Sequence, residues 1–195
     1  MAISGTLQAF LRESKVKYTA MKHAVVYTAQ EIAAAQHVPG RQLAKCVLVK
    51  TDRGPCLAVL PAIHLIDLKK LKTILRAKTL TISKEADIKA LFPDVEVGAM
   101  SLFGNLYGVP VVVDRVLGES ADIVCNAGSH TDTIKMRYQD FARLVKPKVG
   151  AFGKHISGRP EGKRAGGKPR LRRGKPARRP KAATRLRSKK PARRR

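Results

Sequence analysis

A lysine at the start of an apolar strand is the first residue of this sequence whose position suggests chemistry. Residues 42–61 predict a β-hairpin with its turn at 51–54, where Asp and Gly favour a tight reversal. Side chains alternate across a strand, so Lys45, Val47 and Val49 share one face. Both faces of this strand are apolar, which predicts a central strand that is covered on both sides.

Two interpretations of Lys45 follow from this position. In a covered cleft, burial would lower the pKa of the amine, or the ammonium would be held against an anion. Alternatively, Lys45 is an ordinary strand-end lysine whose charged group reaches water along an apolar stem. The residues alone favour this second, simpler interpretation.

A polar turn at residues 126–130 supplies a second group of candidates. His130 could orient a water molecule or bound a substrate pocket, and Ser129 could hydrogen-bond to that water or to an ester. A structural histidine and an exposed turn serine are the alternatives. Asp132 would point to the same side as Ser129 if a strand has begun there. No Ser-His-Asp signature surrounds Ser129, which argues against a nucleophilic triad.

A glycine-flanked loop at residues 98–105 is too apolar to be a solvent-exposed linker. Gly98 and Gly104 would allow backbone N–H groups to approach a ligand closely, although an ordinary turn would also explain them.

The rest of the chain predicts the elements that would position these residues. Helix-capping residues alternate along the chain with short apolar runs that are typical of strands. Together they predict roughly six or seven strands and four or five helices. This irregular order predicts a mixed α/β (α+β) domain and not a regular βαβ array. The predicted helix caps are Ser4, Thr28 (in a capping box with Glu31), Asp67 and Ser83; the predicted strands lie near 16–18, 80–82, 109–113, 122–126 and 133–136.

Charge divides the chain into two parts. Of the 40 Lys and Arg residues, 19 lie within 151–195, where Glu161 is the one acidic residue. That segment carries a net charge of +18, against +8 for residues 1–150, and the two account for the total of +26. We therefore expect a folded domain at 1–150 and a disordered, extended basic tail at 151–195. Such a tail would bind RNA or DNA phosphates without sequence preference.

Cysteine usage and the N-terminal sequence indicate the compartment. The three cysteines have no CxxC spacing and suggest neither a disulfide framework nor a zinc site. Acidic and basic residues come too early for a signal peptide, and no apolar run approaches a membrane span. The sequence therefore predicts a soluble cytoplasmic protein with no metal, no cofactor and no membrane partner, and leaves the oligomeric state open.

The ordered set of motifs resembles the YbaK/ProX family of aminoacyl-tRNA deacylases, which also occurs as the editing domain of prolyl-tRNA synthetases. His23 with Thr28, Lys45, the loop 98–104 and the turn 126–130 carry the resemblance, which covers about residues 1–150. It implies a mixed, partly barrel-like sheet and metal-independent hydrolysis of the ester of a mischarged tRNA. Leu102 stands where the family usually has proline, although Phe103 and Gly104 remain.

The resemblance also implies roles for individual residues. Lys45 stands at the position of the family's essential lysine, and Ser129 and His130 are the other catalytic candidates. The competing hypothesis is a degenerate deacylase fold that binds nucleic acid through the basic tail. The candidates for substrate binding are Tyr18, His23, Thr28, Gly98, Phe103, Gly104, Gly128 and Asp132.

Overall fold

The computed structural model describes residues 3–155, which form five α-helices and ten strands. The basic tail beyond residue 155, with its predicted disorder, lies outside the described residues. The helices are α1 (Gly5–Glu13), α2 (Ala29–Ala35), α3 (Leu68–Leu75), α4 (Glu85–Leu91) and α5 (Tyr138–Val145). The strands are β1 (Tyr18–Lys22), β2 (Ala44–Thr51), β3 (Gly54–Pro61), β4 (His64–Ile66), β5 (Leu80–Ile82), β6 (Val111–Asp114), β7 (Asp122–Asn126), β8 (Asp132–Arg137), β9 (Lys148–Gly150) and β10 (Gly153–His155).

The largest sheet has five strands in the order β5-β2-β3-β6-β9. The predicted hairpin is confirmed: β2 and β3 pair antiparallel from Ala44 opposite Pro61 to Thr51 opposite Gly54. Gly54 has a φ of +109°, which a side chain would disfavour, so the tight reversal depends on glycine. Strands β6 and β9 add in parallel, and the sheet is therefore mixed.

A second sheet has the order β1-β8-β7 and is antiparallel throughout. A single parallel bridge between Leu43 and Val124 connects this sheet to the start of β2. The predicted mixed α/β single domain is confirmed. The five-stranded and three-stranded sheets share one core, and neither closes into a barrel within residues 3–155.

The two faces of β2 enter different cores, as the alternation in its sequence predicts. Ala44 and Leu48 pack into the main core with α1, α5 and the second sheet, whereas Val49 packs into a second core with Leu71 of α3. Burial on both faces keeps the strand rigid. The backbone of Lys45, near the start of β2, is therefore held in a defined position.

Helix caps were predicted correctly at three of four helices. Ser4 accepts from the N–H of Leu7, Asp67 caps α3, and Thr28 forms the complete capping box with Glu31. The prediction that Ser83 caps α4 is wrong. The cap residue is Lys84, whose N–H donates to the Asp87 carboxylate at 3.1 Å. Asp87, in the first turn of α4, therefore makes Lys84 the N-cap residue of the helix.

The folded part of the chain continues beyond residue 150. Phe152 is fully buried in the second core, and β10 pairs antiparallel with β4. Asp114, which is 1% exposed, holds this segment by accepting from the N–H groups of Phe152 and Gly153 at 2.8 and 2.6 Å. None of the helices among residues 3–155 is both long and apolar enough to cross a membrane.

Candidate active site

A small cavity of about 170 Å³ lies between the start of β2, the N-terminal end of α2 and the glycine-flanked loop. Polar and apolar atoms contribute about equally to its wall, and the lining side chains that carry nitrogen or oxygen are those of Tyr27, Lys45 and Asn126. The full lining is Tyr27, Ala29, Ile32, Leu43, Ala44, Lys45, Cys46, Gly98, Met100 and Asn126.

Lys45 enters this cavity as a partly buried cation. Its backbone is fixed opposite Leu60 in the hairpin, and its Nζ donates to the carbonyl oxygen of Ala62 at 3.1 Å. Burial lowers the pKa of the amine, as the cleft interpretation of the sequence expected. Lys45 is therefore not simply extended into water, and it can present a compact positive charge to a carbonyl or phosphate oxygen.

Gly98 and His130 are held together at the edge of the cavity. Gly98 has a φ of +90°, and a Cβ there would lie 3.3 Å from Cε1 of His130. His130 Nε2 lies 3.0 Å from the Val97 carbonyl, which can only accept, so Nε2 carries the proton in this contact. The His130 backbone N–H donates to Glu96 at 2.9 Å, and the ring packs on Tyr27 with centroids 4.9 Å apart. His130 thus contacts two wall residues, Tyr27 and Gly98.

Gly128 allows the polar turn to dock against the glycine-flanked loop and the first helix. With a φ of +109°, it lies so close to Ser4 that an added Cβ would be 2.9 Å from the serine Cβ. Its N–H donates to the Ala99 carbonyl, and its carbonyl accepts from the Glu96 N–H. These two backbone hydrogen bonds fix the position of the glycine-flanked loop relative to the polar turn.

Ser129 and Asp132 form a buried pair beside the site. Ser129 Oγ donates to Asp132 Oδ2 at 2.6 Å, and Thr131 donates to the same oxygen at 2.7 Å. Burial would raise the pKa of Asp132, but these two hydrogen bonds and the charge of Lys22 lower it overall. The serine hydroxyl is 2% exposed and directs its proton to a carboxylate, in a geometry that supports the turn between β7 and β8.

The other predicted site residues lie outside the cavity lining. Phe103 is fully buried between Phe10 and Phe141, and Gly104 sits where a Cβ would come within 2.7 Å of the Val109 carbonyl. Tyr18 lies on β1 and packs against the main core. The structure therefore gives these three residues places in the core and not at Lys45.

Thr28 and His23 do not line the cavity either. Thr28 uses its hydroxyl to cap α2, and its neighbours Tyr27 and Ala29 reach the cavity. His23 Nδ1 lies 2.7 Å from the Ala24 carbonyl, and its backbone N–H donates to Thr131. Leu102, at the position of the family's proline, is buried in the main core.

Eight of the ten lining residues were not candidates at the sequence level, and four of these eight carry a polar or sulfur-containing side chain: Tyr27, Cys46, Met100 and Asn126. Cys46 is adjacent to Lys45 on a strand, so the sequence pattern placed it on the opposite face. Its Sγ contacts the Met100 carbonyl at 3.3 Å, and burial raises its pKa to about 12, so the thiol is not a ready nucleophile. Only Asn126 could have been recognised from the sequence. It is a polar residue that directly follows the three apolar residues 123–125 of β7.

Within residues 3–155, no group of three or more His, Cys, Asp and Glu side chains could hold a metal ion. The lining side chains that can form hydrogen bonds are those of Tyr27, Lys45, Cys46 and Asn126.

The fold is a mixed α/β domain with a partly buried lysine at a small cleft, and comparison with known proteins identifies the family. Residues 23–144 match the aminoacyl-tRNA editing domain family, to which the chain belongs. Over 150 residues it is 26% identical to the prolyl-tRNA editing protein ProX of Acetoanaerobium sticklandii, an alignment that covers 74% of this chain and 91% of that protein.

Solved structures show the same fold. A crystal structure of a candidate trans-editing enzyme for prolyl tRNA synthetase superposes with a TM-score of 0.68 at 17% identity, over 78% of this chain and 99% of that one. A protein described only as hypothetical superposes with a TM-score of 0.70 at 14% identity, over 76% and 99% of the two chains. The predicted family and fold are confirmed.

Proposed function

We propose that this protein is a freestanding trans-editing aminoacyl-tRNA deacylase, which hydrolyses the ester of a mischarged tRNA in the cytoplasm and so supports translation fidelity. The observation that carries the proposal is the position of Lys45. It lies within the segment that matches the editing family, and it lines a cavity sized for a small ligand. The curated relative is named as a prolyl-tRNA editing protein, which agrees with this activity.

The proposed reaction needs charge stabilisation more than a nucleophilic side chain. The oxygen of a water molecule forms a bond to the ester carbonyl carbon, and the carbonyl oxygen becomes negatively charged. The bond to the ribose oxygen then breaks, and that oxygen takes a proton. Lys45 would stabilise the carbonyl oxygen or hold the terminal phosphate, and its effect is larger in a partly dry cleft than in water.

The remaining candidates support this arrangement in the proposal. Gly98 brings backbone close to the ligand, and His130 sets the positions of Gly98 and Tyr27. Ser129, Asp132 and Gly128 fix the turn that carries His130. We assign His130 and Ser129 to positioning because the known hydrogen bonds of their side chains go to Val97 and to Asp132 or Thr131.

A deacylation assay tests the function directly. Purified protein is incubated with tRNAs that carry alanine, cysteine, serine or threonine esters, and loss of the ester is followed above the spontaneous rate. We expect hydrolysis of at least one, and a loss of roughly one-hundredfold or more in Lys45→Ala if the ammonium stabilises the oxyanion. Lys50→Ala, an exposed lysine on the same strand, is the matched control and should retain full activity.

A second function is favoured by the charge of the tail. Nineteen Lys and Arg residues in 151–195 could make the protein a nucleic-acid-binding or regulatory factor on a degenerate deacylase fold. If no mischarged tRNA is hydrolysed while tRNA or DNA is bound with a steep salt dependence, this alternative replaces the enzyme. Both hypotheses have tRNA as a partner. They differ in whether Lys45 is required for the protein's function.

A further inference from the structure

Asn126 is, with Tyr27 and Lys45, one of the lining residues of the cavity whose side chains carry nitrogen or oxygen. It is the last residue of β7 and pairs with Thr133 of β8, so the antiparallel ladder fixes its backbone. Its side chain lies in the cavity wall together with those of Lys45 and Met100. The sequence analysis gave it no role.

The orientation of the Asn126 amide follows from its neighbour. Its Nδ2 lies 3.4 Å from the carbonyl oxygen of Gly98, which can only accept a hydrogen bond. The NH₂ group must therefore face Gly98, and Oδ1 points the other way. Oδ1 is buried and has no hydrogen-bond partner among residues 3–155. A buried amide oxygen without a donor is costly, and a ligand that supplies the donor recovers this cost on binding.

We propose that Asn126 positions the substrate by accepting, at Oδ1, a hydrogen bond from a donor on the aminoacyl-adenosine end of the tRNA. This inference rests on the proposed deacylase function. Two donors flank the ester itself: the α-amino group of the amino acid and the free hydroxyl of the terminal ribose.

The polarity of the cavity explains why a donor is required at Asn126. Lys45 can only donate, so it pairs with ester or phosphate oxygens, which can only accept. Asn126 Oδ1 can only accept, so it cannot pair with those oxygens. The two side chains therefore recognise opposite kinds of group on one small ligand, and together they fix which way the ester enters the cavity.

Binding of non-hydrolysable analogues separates this role from catalysis. The probes are three RNA minihelices whose terminal ester is replaced by an amide: one complete, one lacking the α-amino group, and one lacking the free ribose hydroxyl. The dissociation constant of each is measured by calorimetry for the wild-type protein and for Asn126→Ala. The amide N–H is common to all three probes and cancels in the comparison.

We expect the effect of Asn126→Ala and the effect of removing the donor from the probe to be non-additive. Asn126→Ala should weaken binding of the complete probe by roughly ten- to one-hundredfold. Removing the correct donor from the probe should weaken wild-type binding by a similar factor, and should cause no further loss in Asn126→Ala. The probe that behaves in this way identifies the donor as the α-amino group or the ribose hydroxyl.

Control variants guard against a purely structural effect. Thr133→Val removes a buried hydroxyl from the paired residue on β8, which contacts Gln36 and does not line the cavity, and it should bind all three probes as the wild type does. Asn126→Leu keeps the branching of the side chain while removing both polar atoms, and it replaces Asn126→Ala if the alanine variant fails to fold.

Three outcomes would overturn the proposal: unchanged binding in the Asn126 variants, an equal loss for all three probes, or no binding of any probe by the wild-type protein. If the wild-type protein binds the probes with the expected dependence but hydrolyses no ester, the proposed deacylase activity fails while the role of Asn126 in binding stands. If the protein hydrolyses an ester but binds the probes equally well without Asn126, the deacylase activity stands and the role of Asn126 fails.

Discussion

The ammonium group of Lys45 and the carbonyl oxygen of Ala62 are 3.1 Å apart and joined by a hydrogen bond. Ala62 is itself fixed, because its N–H donates to Leu43, and its carbonyl also accepts from Gln30. The bond holds the lysine at the cavity through a neutral acceptor. A negatively charged oxygen binds an ammonium more strongly than a neutral carbonyl does, so a substrate group can displace this contact.

The first prediction concerns the pH dependence of Lys45. Burial lowers the pKa of this amine, and the proposed role needs its charged form, so activity should fall as pH rises through the lowered pKa. This fall should come below the pH at which an exposed lysine titrates. The measurement is the single-turnover deacylation rate against pH, corrected for spontaneous ester hydrolysis.

Lys45→Arg provides the matching control for the pH profile. A guanidinium stays charged throughout this range but is larger and planar, so the rate should be low and the alkaline decline should disappear. A wild-type rate that does not decline before the ordinary lysine range would show that the charge of Lys45 is not required.

The second prediction separates Ser129 from the chemical step. Ser129→Ala should retain deacylation to within roughly threefold, because its hydroxyl is bonded to a buried carboxylate, and the loss of that bond should lower the free energy of unfolding by about 1–3 kcal/mol. Urea unfolding and single-turnover rates measure the two effects. A large loss of rate at unchanged stability would restore Ser129 as a catalytic residue.

The same variant should change the acid stability of the fold. The folded-state pKa of Asp132 lies below its unfolded value, so its contribution to stability is present at neutral pH and is lost as pH falls through the folded pKa. Without the Ser129 hydrogen bond that pKa should rise. The loss of stability on acidification should then be smaller and should be complete at a higher pH than in the wild type, because the folded pKa moves closer to the unfolded one.

The third prediction tests how His130 acts on the cavity. Because the ring contacts Gly98 and Tyr27, His130→Ala should loosen the wall and broaden acceptance toward larger aminoacyl esters. Tyr27→Ala should shift the profile in the same direction, and the double variant should differ little from either single one. Uniform loss on every ester would indicate a catalytic role, and an unchanged profile would place His130 outside the site.

The fourth prediction separates the domain from the basic tail. The truncation is placed after His155, the last described residue, because an end at residue 150 would remove the buried Phe152 and strand β10. The shortened protein should keep its single-turnover rate at saturating enzyme and its free energy of unfolding. Its affinity for tRNA and for unrelated duplex should fall in parallel, since the tail lacks a base-reading element.

Salt dependence gives the magnitude for this truncation. If the tail neutralises six phosphates, the plot of log K against log salt should lose a slope of roughly five. Binding is measured for both proteins at several salt concentrations. Equal slopes would show that the tail does not contact nucleic acid.

The sequence by itself determined the family, the hairpin and the two faces of β2. These features are local: turn residues set the reversal, and the period of two assigns alternate side chains to opposite faces. Three helix starts were predicted for the same reason, since Ser4, Thr28 and Asp67 cap through bonds within one turn. Ser83 failed because Asp87 accepts from the N–H of Lys84 and moves the start of the helix by one residue.

Only the tertiary structure decided which candidates meet at the cavity. Lys45, Gly98 and Asn126 come from three distant segments, and they meet there because the bridge from Leu43 to Val124 joins the two sheets. Phe103 and Gly104 had the same motif-level support as Gly98, yet they lie in the core. Sequence spacing specifies the face on which a residue lies within its own element. The contacts of that face depend on packing between elements, which arises from the whole chain at once.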